Sequence, residues 1–199
     1  MQELLREAAV ELDQLGLIAF GAGPGAFTGL RAACAAAQGL AWGLGLPVVP
    51  VNTLLAVAAG QHDAAQVLVA DDARMGELYW ALAECIDGVW RLRQPPRVDA
   101  PAAAAQAWAA LGAPPPCLAG NAWREHRDSL AAELPTAWHE ALRDARDAAP
   151  SAPAIAQLAR AAARRGEAVD ATHALPLYVR DKVALTSAER AAAARGGRP

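Results

Sequence analysis

The chain has 199 residues, of which 54% are hydrophobic, and its formal net charge at pH 7 is −3. Mean hydropathy is +0.12 and the sequence pI is about 5.8, so the composition predicts a globular protein with one substantial core or two small ones. The negative net charge argues against a protein that binds nucleic acid over a broad surface by itself, because neutralising phosphates requires clustered cationic side chains. No apolar run is long enough for a membrane span and the N-terminus does not resemble a signal peptide, so we expect no membrane contact and a cytoplasmic location.

The first predicted element is an amphipathic helix that begins almost at Met1. Charged residues occupy most of the helical wheel, and no capping residue precedes the helix. Its apolar stripe is formed by Leu4, Leu5, Ala8, Leu12 and Leu15.

A glycine-rich turn follows the short apolar strand predicted at residues 17–20. Gly21, Gly23 and Ala26 match a loose G-x-G-x-x-A pattern, which can present backbone N–H groups to a phosphate. The match is weak, because no acidic residue follows at the expected distance and no lysine follows the turn. The simpler interpretation is a tight turn whose glycines let strand and helix pack closely.

The next helix is predicted from Thr28, as its cap, to about Leu44. Two interpretations of this helix stay open: a core helix packed on its own sheet, or a helix that faces a partner, because its many small residues allow close approach. Valines then predict a short strand at residues 48–51, and Asn52 is expected to cap a helix that runs to Ala59. The alternation of helices and strands favours a parallel α/β layer.

A hairpin is the main prediction for the middle of the chain. A buried strand at 67–70 ends in Asp71 and Asp72, and residues 77–86 and 89–93 form strands joined by an Asp87-Gly88 turn. Two aspartates after a strand can hold a metal or activate water. The competing interpretation is an acidic turn beside Arg74.

Several shorter elements complete the prediction. We expect helices at 102–111 and 124–134, a strand at 117–119, and no clear periodicity over 135–149. Ser151 is expected to cap a helix whose arginines form a solvated face or contact RNA. A final strand is predicted at 175–180, and a tail at 187–199.

Catalytic signatures are scarce in the sequence. The four histidines form no H-x-x-x-H or H-E-x-x-H pair, and there is no G-x-S-x-G. The three cysteines lack C-x-x-C spacing, which predicts reduced thiols rather than a zinc site.

Four segments carry a resemblance to a known family. The sequences GPGAFTGLR at 23–31, LPVVPVNTL at 46–54, DARMGELYWA at 72–81 and LPLYVRDKVA at 175–184 resemble those of the TsaB (YeaZ) family. The resemblance implies the two-lobe α/β fold of the actin-like, Hsp70-like (ASKHA) ATPases. It assigns residues 1–60 to the first lobe with its interface helices, 61–185 to the second lobe and 186–199 to a flexible tail. An opening β-meander precedes the first helix in that family, so the resemblance predicts a first lobe that lacks about 30 to 40 residues.

The resemblance implies the function of a non-catalytic subunit. Such a subunit pairs with a TsaD-like catalytic subunit, is joined by a TsaE-like ATPase, and is required for threonylcarbamoyl transfer to adenosine 37 of tRNAs that read codons beginning with A. No cofactor of its own is expected, since ATP and metal belong to the partner subunits, and tRNA is contacted only through the complex. A homodimer through the same helices is a variant of this hypothesis. The interface is predicted at Leu4, Leu5, Leu12, Thr28, Leu30, Arg31, Ala33, Cys34 and Ala37.

The alternative function is that of an independent ATP-binding enzyme of the actin-like superfamily. It requires phosphate loops in both lobes, and residues 71–76 contain no recognisable Gly-Gly-Thr loop.

Overall fold

The computed structural model describes residues 2–180, while Met1 and residues 181–199 lie outside that description. Within it, the strands form a two-stranded sheet and a five-stranded sheet, with helices against both. We call these the small sheet and the large sheet. No helix among residues 2–180 is both long enough and apolar enough to cross a bilayer.

The small sheet is a single β-α-β unit. Strands β1 (Ile18–Gly23) and β2 (Val48–Asn52) pair in parallel and are connected by helix α2 (Phe27–Leu44). A parallel pair needs a crossover connection, which α2 supplies. The predicted parallel α/β layer is therefore confirmed.

Two further helices cover the small sheet on the face opposite α2. They are α3 (Thr53–Ala59) and α8 (Ala152–Arg164). The predicted caps of both are present: Asn52 Oδ1 accepts a hydrogen bond from Leu55 N at 3.0 Å, and Ser151 Oγ accepts one from Ala154 N at 3.3 Å.

The large sheet is mixed, with strand order β5-β4-β3-β7 and β6 paired to the free part of β4. The predicted hairpin is confirmed: β4 and β5 pair antiparallel across the Asp87-Gly88 turn, where both residues have left-handed φ angles of 52° and 75°. Strand β7 pairs in parallel with β3. The strands of this sheet are β3 (Gln66–Arg74), β4 (Glu77–Ile86), β5 (Val89–Leu92), β6 (Arg97–Asp99) and β7 (Cys117–Ala119).

Both faces of the large sheet are buried. Alternate residues of β3 and β4 face a core that contains Trp108, Trp123 and Trp138, while the intervening residues pack against α3. Since α3 also contacts the small sheet, it lies between the two sheets and is almost completely buried. The helices on the tryptophan side are α4 (Pro101–Ala109), α5 (Ala122–Glu125), α6 (Arg127–Glu133) and α7 (His139–Arg143).

The chain returns to the small sheet after these helices. Helix α8 packs on β1 and β2, and Val169 forms an antiparallel bridge with Val48. Residues 152–174 therefore pack with the small sheet, while the division into lobes at 1–60 and 61–185 stays a prediction. The predicted tail at 186–199 lies outside the described residues.

The N-terminal helix is shorter than predicted. Helix α1 (Gln2–Ala8) ends because Ala9 adopts a left-handed φ of 51° and Val10 N donates to Leu5 O at 3.0 Å. Leu12 lies in a separate 3₁₀ turn (Leu12–Gln14), so it does not continue the stripe of Leu4 and Leu5. Helical spacing alone cannot reveal this break.

Three other local predictions are wrong. Thr28 lies inside the first turn of α2, and the N-cap is Ala26, which provides no side-chain hydrogen bond. The helix predicted at 124–134 is divided into α5 and α6 at His126. Residues 175–180 form no strand, since their only backbone hydrogen bond to the small sheet runs from Leu177 N to Ala22 O, at 2.7 Å.

Candidate functional site

The glycine-rich turn after β1 is shaped by a close crossing of the backbone. Gly23 has a φ of 124°, and a Cβ atom at this position would lie 2.4 Å from Leu177 O. The carbonyl of the next residue, Pro24, accepts a hydrogen bond from Thr53 Oγ1. The glycine therefore serves packing, which favours the simpler of the two interpretations of this turn.

The segment that crosses Gly23 is an extended strap, residues 174–180, which joins the two sheets. At its start, Ala174 O accepts hydrogen bonds from Cys34 Sγ at 3.2 Å and Gln38 Nε2 at 2.9 Å, both on α2. Burial raises the pKa of the Cys34 thiol, which keeps it protonated and able to donate. At its end, Arg180 donates to Ala73 O at 3.2 Å, on strand β3 of the large sheet.

Helix α2 has one side in the core and one side in solvent. Leu30, Cys34 and Ala37, all predicted interface residues, are buried and face the chain's own interior; Cys34 and Ala37 pack with Phe20 and Ala22. Ala33 is half-buried beside this core. Three of these side chains are thus directed into the chain's own core, and Ala33 lies at its edge.

The remaining predicted interface residues are more accessible. Thr28 and Arg31 are exposed on the first turns of α2, Leu4 and Leu12 are exposed near the N-terminus, and Leu5 is half-buried. None of the three leucines belongs to a core cluster of the described residues. The structure thus separates the predicted set into a buried half and an exposed half.

The solvent side of α2 presents small residues and one tryptophan. Trp42 has 73% of its surface exposed, which is unusual for the largest side chain in a protein of this size. We call this surface the outer face of α2; it consists of Gly29, Ala32, Ala35, Ala36, Gly39, Trp42 and Gly43.

The interface predicted from the sequence combines residues of both sides of α2, since Cys34 and Ala37 are buried whereas Thr28 and Arg31 are exposed. Both sides are apolar, so periodicity does not distinguish them, and the larger residues marked the buried side. The available signal was the spacing of Ala32, Ala35, Gly39 and Trp42, which places small residues and the tryptophan on one stripe.

The two aspartates considered for catalysis lie within β3, not after it. As successive strand residues, they point to opposite faces of the large sheet. Asn121 forms hydrogen bonds with both aspartates. Its side-chain Oδ1 accepts from the backbone N of Asp72 at 2.7 Å, and its backbone N–H donates to the carboxylate Oδ1 of Asp71 at 3.2 Å. Asp72 Oδ1 also lies 3.1 Å from His126 Nε2.

Electrostatics in this network favour a structural role. Burial raises the pKa of Asp71 to about 6; the Asn121 N–H opposes the shift, and the neighbouring Asp72 charge adds to it. No group of three His, Cys, Asp or Glu side chains in residues 2–180 is arranged to hold a metal ion. Each aspartate instead binds the loop that follows β7.

Sequence reasoning missed His126 and Asn121 as partners of these aspartates. The parallel pairing of β3 and β7 brings the carboxyl ends of both strands together, although 50 residues separate Asn121 from Asp71 in the chain. Gly120 makes the junction tight, since its φ is 115° and an added Cβ would lie 2.2 Å from Ala70 O. A Gly-Asn pair directly after a strand was the available signal.

Comparison with known proteins links this arrangement to one group. The chain matches the family model described as "TsaD: tRNA N6-adenosine threonylcarbamoyltransferase" over residues 1–188. It is 34% identical, over 92% of its length and 79% of the relative's, to the tRNA threonylcarbamoyladenosine biosynthesis protein TsaB of Escherichia coli K12. A TsaB of Haemophilus influenzae is 44% identical over 84 residues, which are 41% of this chain and 36% of the relative.

Solved structures give the same result. YeaZ from Pseudomonas aeruginosa superposes with a TM-score of 0.75 at 37% identity, covering 89% of this chain and 80% of the other. A crystal structure described as an uncharacterized protein with similarity to peptidase YeaZ, from the same organism, has a TM-score of 0.77 at 38% identity and covers 90% and 80% of the two chains. At these identities the likeness extends to sequence as well as fold.

Proposed function

Since the chain belongs to the TsaB (YeaZ) family, we propose that it acts as a subunit of the machinery that makes threonylcarbamoyladenosine in tRNA. The observation that carries this proposal is the similarity to the E. coli TsaB protein over 92% of the chain. The fold is of the actin-like type, in agreement with the family model and with both YeaZ structures.

We propose further that the subunit is non-catalytic. The best candidate carboxylates, Asp71 and Asp72, point to opposite faces of a sheet and are held by Asn121 and His126. A phosphate-binding enzyme needs backbone or cationic groups directed at one point, and the glycine turn at Gly23 is instead occupied by the strap. These observations favour a scaffold over the alternative, an independent ATP-binding enzyme.

The proposed partner is a TsaD-like catalytic subunit that packs on the outer face of α2. Helix axes approach to about 8–10 Å when small residues lie at the contact, and this face offers glycine and alanine along its length. Trp42 at one end supplies the large, exposed side chain that typically dominates binding energy. Thr28, Arg31, Leu4, Leu5 and Leu12 are the members of the predicted interface that remain available to extend this contact.

The complex as a whole would carry out the chemistry. In this proposal the TsaD-like subunit transfers the threonylcarbamoyl group to adenosine 37 of tRNAs that read codons beginning with A, and a TsaE-like ATPase joins the pair. ATP and metal would be bound by those subunits, and tRNA would be contacted through the assembly. Because a homodimer could use the same outer face, self-association competes with pairing.

The test is co-expression with the catalytic subunit of the same organism, followed by light scattering of the purified species. We expect a one-to-one complex. Ala36→Arg should weaken it at least about 100-fold, because a long charged side chain would be forced between closely packed helices. Ala103→Arg is the matched control, since Ala103 is an exposed alanine on α4.

Two further measurements make the outcome decisive. Threonylcarbamoyladenosine in tRNA, measured by mass spectrometry in cells that depend on this chain, should fall with Ala36→Arg and remain unchanged with Ala103→Arg. Equal loss of the complex in both variants would contradict the proposed surface. A chain that forms no complex with the catalytic subunit would contradict the scaffold role itself.

A further inference from the structure

A cleft of about 350 Å³ opens between the start of α2, the β3–β4 turn and the strap. We infer that this cleft binds an apolar segment of a protein partner whose flanking residues are acidic. The inference goes beyond the proposed function, because the residues that line the cleft are separate from the outer face of α2; Arg31, a predicted interface residue, stands at the border between them.

The walls of the cleft carry large hydrophobic side chains that stay accessible to solvent. Four large hydrophobic side chains that line it are exposed: Phe27, Met75, Leu177 and Tyr178. Met75 has 75% of its surface in solvent and Tyr178 has 46%. Aromatic residues, methionine and arginine are the residue types enriched where proteins bind one another, and a concave apolar surface that stays exposed marks an interaction site.

The accessible charge at the rim is positive. Arg31 lies over the Phe27 ring, 3.8 Å from its centroid, and its Nε donates to Tyr178 Oη at 3.1 Å, so it borders two of the exposed apolar side chains. Across the cleft, the Arg74 side chain is 88% exposed, whereas its partner Asp72, 3.3 Å away, is only 11% exposed. A ligand therefore meets arginine donors first, and carboxylates are the groups that complement them.

The β3–β4 turn holds its exposed residues in a conformation that ordinary residues avoid. Arg74 and Met75 have left-handed φ angles of 63° and 58°, which residues other than glycine rarely adopt. Arg180 stabilises the turn by donating to Ala73 O at 3.2 Å and by pairing with Glu77. The strap thus fixes Met75 and Arg74 at the mouth of the cleft.

The chemistry favours a protein partner over a nucleic acid. Two arginines are too few to hold a polyanion in physiological salt, and the chain has a net charge of −3. The four apolar side chains, in contrast, require an apolar group to cover them. An extended segment with one or two large apolar residues between aspartates or glutamates satisfies both features.

The test is selection of random dodecapeptides, displayed on phage, against the full-length chain. Enriched peptides should carry paired large apolar residues flanked by Asp or Glu. As synthetic fluorescein-labelled peptides they should bind at least about 10-fold more weakly to the Arg74→Glu, Met75→Ser double variant. Phe27→Ser, on the opposite wall, should weaken peptide binding in the same way. It replaces the double variant as the test if the double variant folds poorly.

A matched control isolates the cleft. The double variant Ile86→Ser, Arg91→Glu removes an exposed apolar side chain and an exposed arginine at the other end of the hairpin, so binding should be unchanged. Peptides without acidic residues, binding that the cleft variants leave intact, or no enrichment at all would overturn the inference. So would displacement of the peptide by a 12-nucleotide RNA at stoichiometric amounts, which would identify a nucleic-acid site instead.

One variant can distinguish a failure of the proposed pairing with the catalytic subunit from a failure of peptide binding to the cleft. Ala36→Arg should abolish the complex with the catalytic subunit while leaving peptide affinity unchanged, since Ala36 does not line the cleft. The two surfaces can therefore be judged independently.

Discussion

Tryptophans beside the two sheets of this protein differ in their exposure to solvent. Around the large sheet, Trp108, Trp123 and Trp138 are completely buried between helices and strands. Against the small sheet, the single tryptophan of α2, Trp42, stands in solvent above a face of glycine and alanine. The tryptophans of the large sheet thus contribute to its core, whereas Trp42 adds to the apolar surface that we propose for binding.

Substituting one tryptophan from each half should give the largest contrast. Trp108→Ala should lower the free energy of unfolding by about 3 to 5 kcal/mol, because Trp108 packs edge-on to Trp80 and against Trp123. Trp42→Ala should change it by less than about 0.5 kcal/mol but weaken pairing. Urea unfolding measures stability and light scattering measures pairing. A large loss of stability in Trp42→Ala would contradict the predicted difference between the two tryptophans.

The two glycines that meet a backbone carbonyl give the next largest contrast. Gly120→Ala should cost about 3 kcal/mol, since the clash falls on buried strand β3 at Ala70 O. Gly23→Ala meets Leu177 O at 2.4 Å and the Leu30 Cδ1 atom at 3.1 Å, and the strap that carries Leu177 is not part of a sheet. We expect a smaller loss of stability there, with faster hydrogen exchange confined to residues 174–180. Equal destabilisation by the two substitutions would contradict this division.

The buried aspartate of the large sheet should give the protein a specific pH dependence. The folded-state pKa of Asp71 is raised to about 6, so ionisation on going from pH 4 to pH 7 destabilises the fold by about 2 to 3 kcal/mol. Asp71→Asn should therefore gain stability relative to the unsubstituted chain as pH rises through this window, and the difference should level off above pH 7. Urea unfolding at four pH values would measure it.

A surface aspartate provides the control of opposite sign. The Arg146 guanidinium, hydrogen-bonded to Asp63, lowers the pKa of that carboxyl to about 2. Asp63→Asn should lose stability relative to the unsubstituted chain above pH 4, and the loss should disappear as pH falls towards 2. If both variants show the same sign, burial is not the cause of the Asp71 effect.

Helix caps give the smallest contrast. Helix α2 begins at Ala26 without a side-chain cap, whereas Asn52 caps α3. Ala26→Ser should stabilise the protein by about 0.5 to 1 kcal/mol, and Asn52→Ala should destabilise it by about 1 kcal/mol. Thermal unfolding would detect both, and no gain from Ala26→Ser would show that the start of α2 is held by tertiary contacts alone.

Local sequence determined the elements whose signals are local. The Asn52 and Ser151 caps and the Asp87-Gly88 hairpin follow from side-chain chemistry or backbone preferences within a few residues, and all were predicted. The parallel β-α-β unit was predicted from the alternation of strand and helix along the chain. The family resemblance was likewise carried by short contiguous motifs, and the comparisons support it.

Tertiary structure decided which side of each element faces inward and which distant residues meet. Both sides of α2 are apolar, so periodicity alone does not show that the side at Cys34 is buried and the side at Ala36 is exposed; the position of the small sheet decides this. The strap forms no strand although its residues are strand-like, since Gly23 and Arg180 fix it by isolated contacts. Likewise, the pairing of β3 with β7 brings His126 and Asn121 to the aspartates, and long-range strand pairing leaves no mark on local sequence.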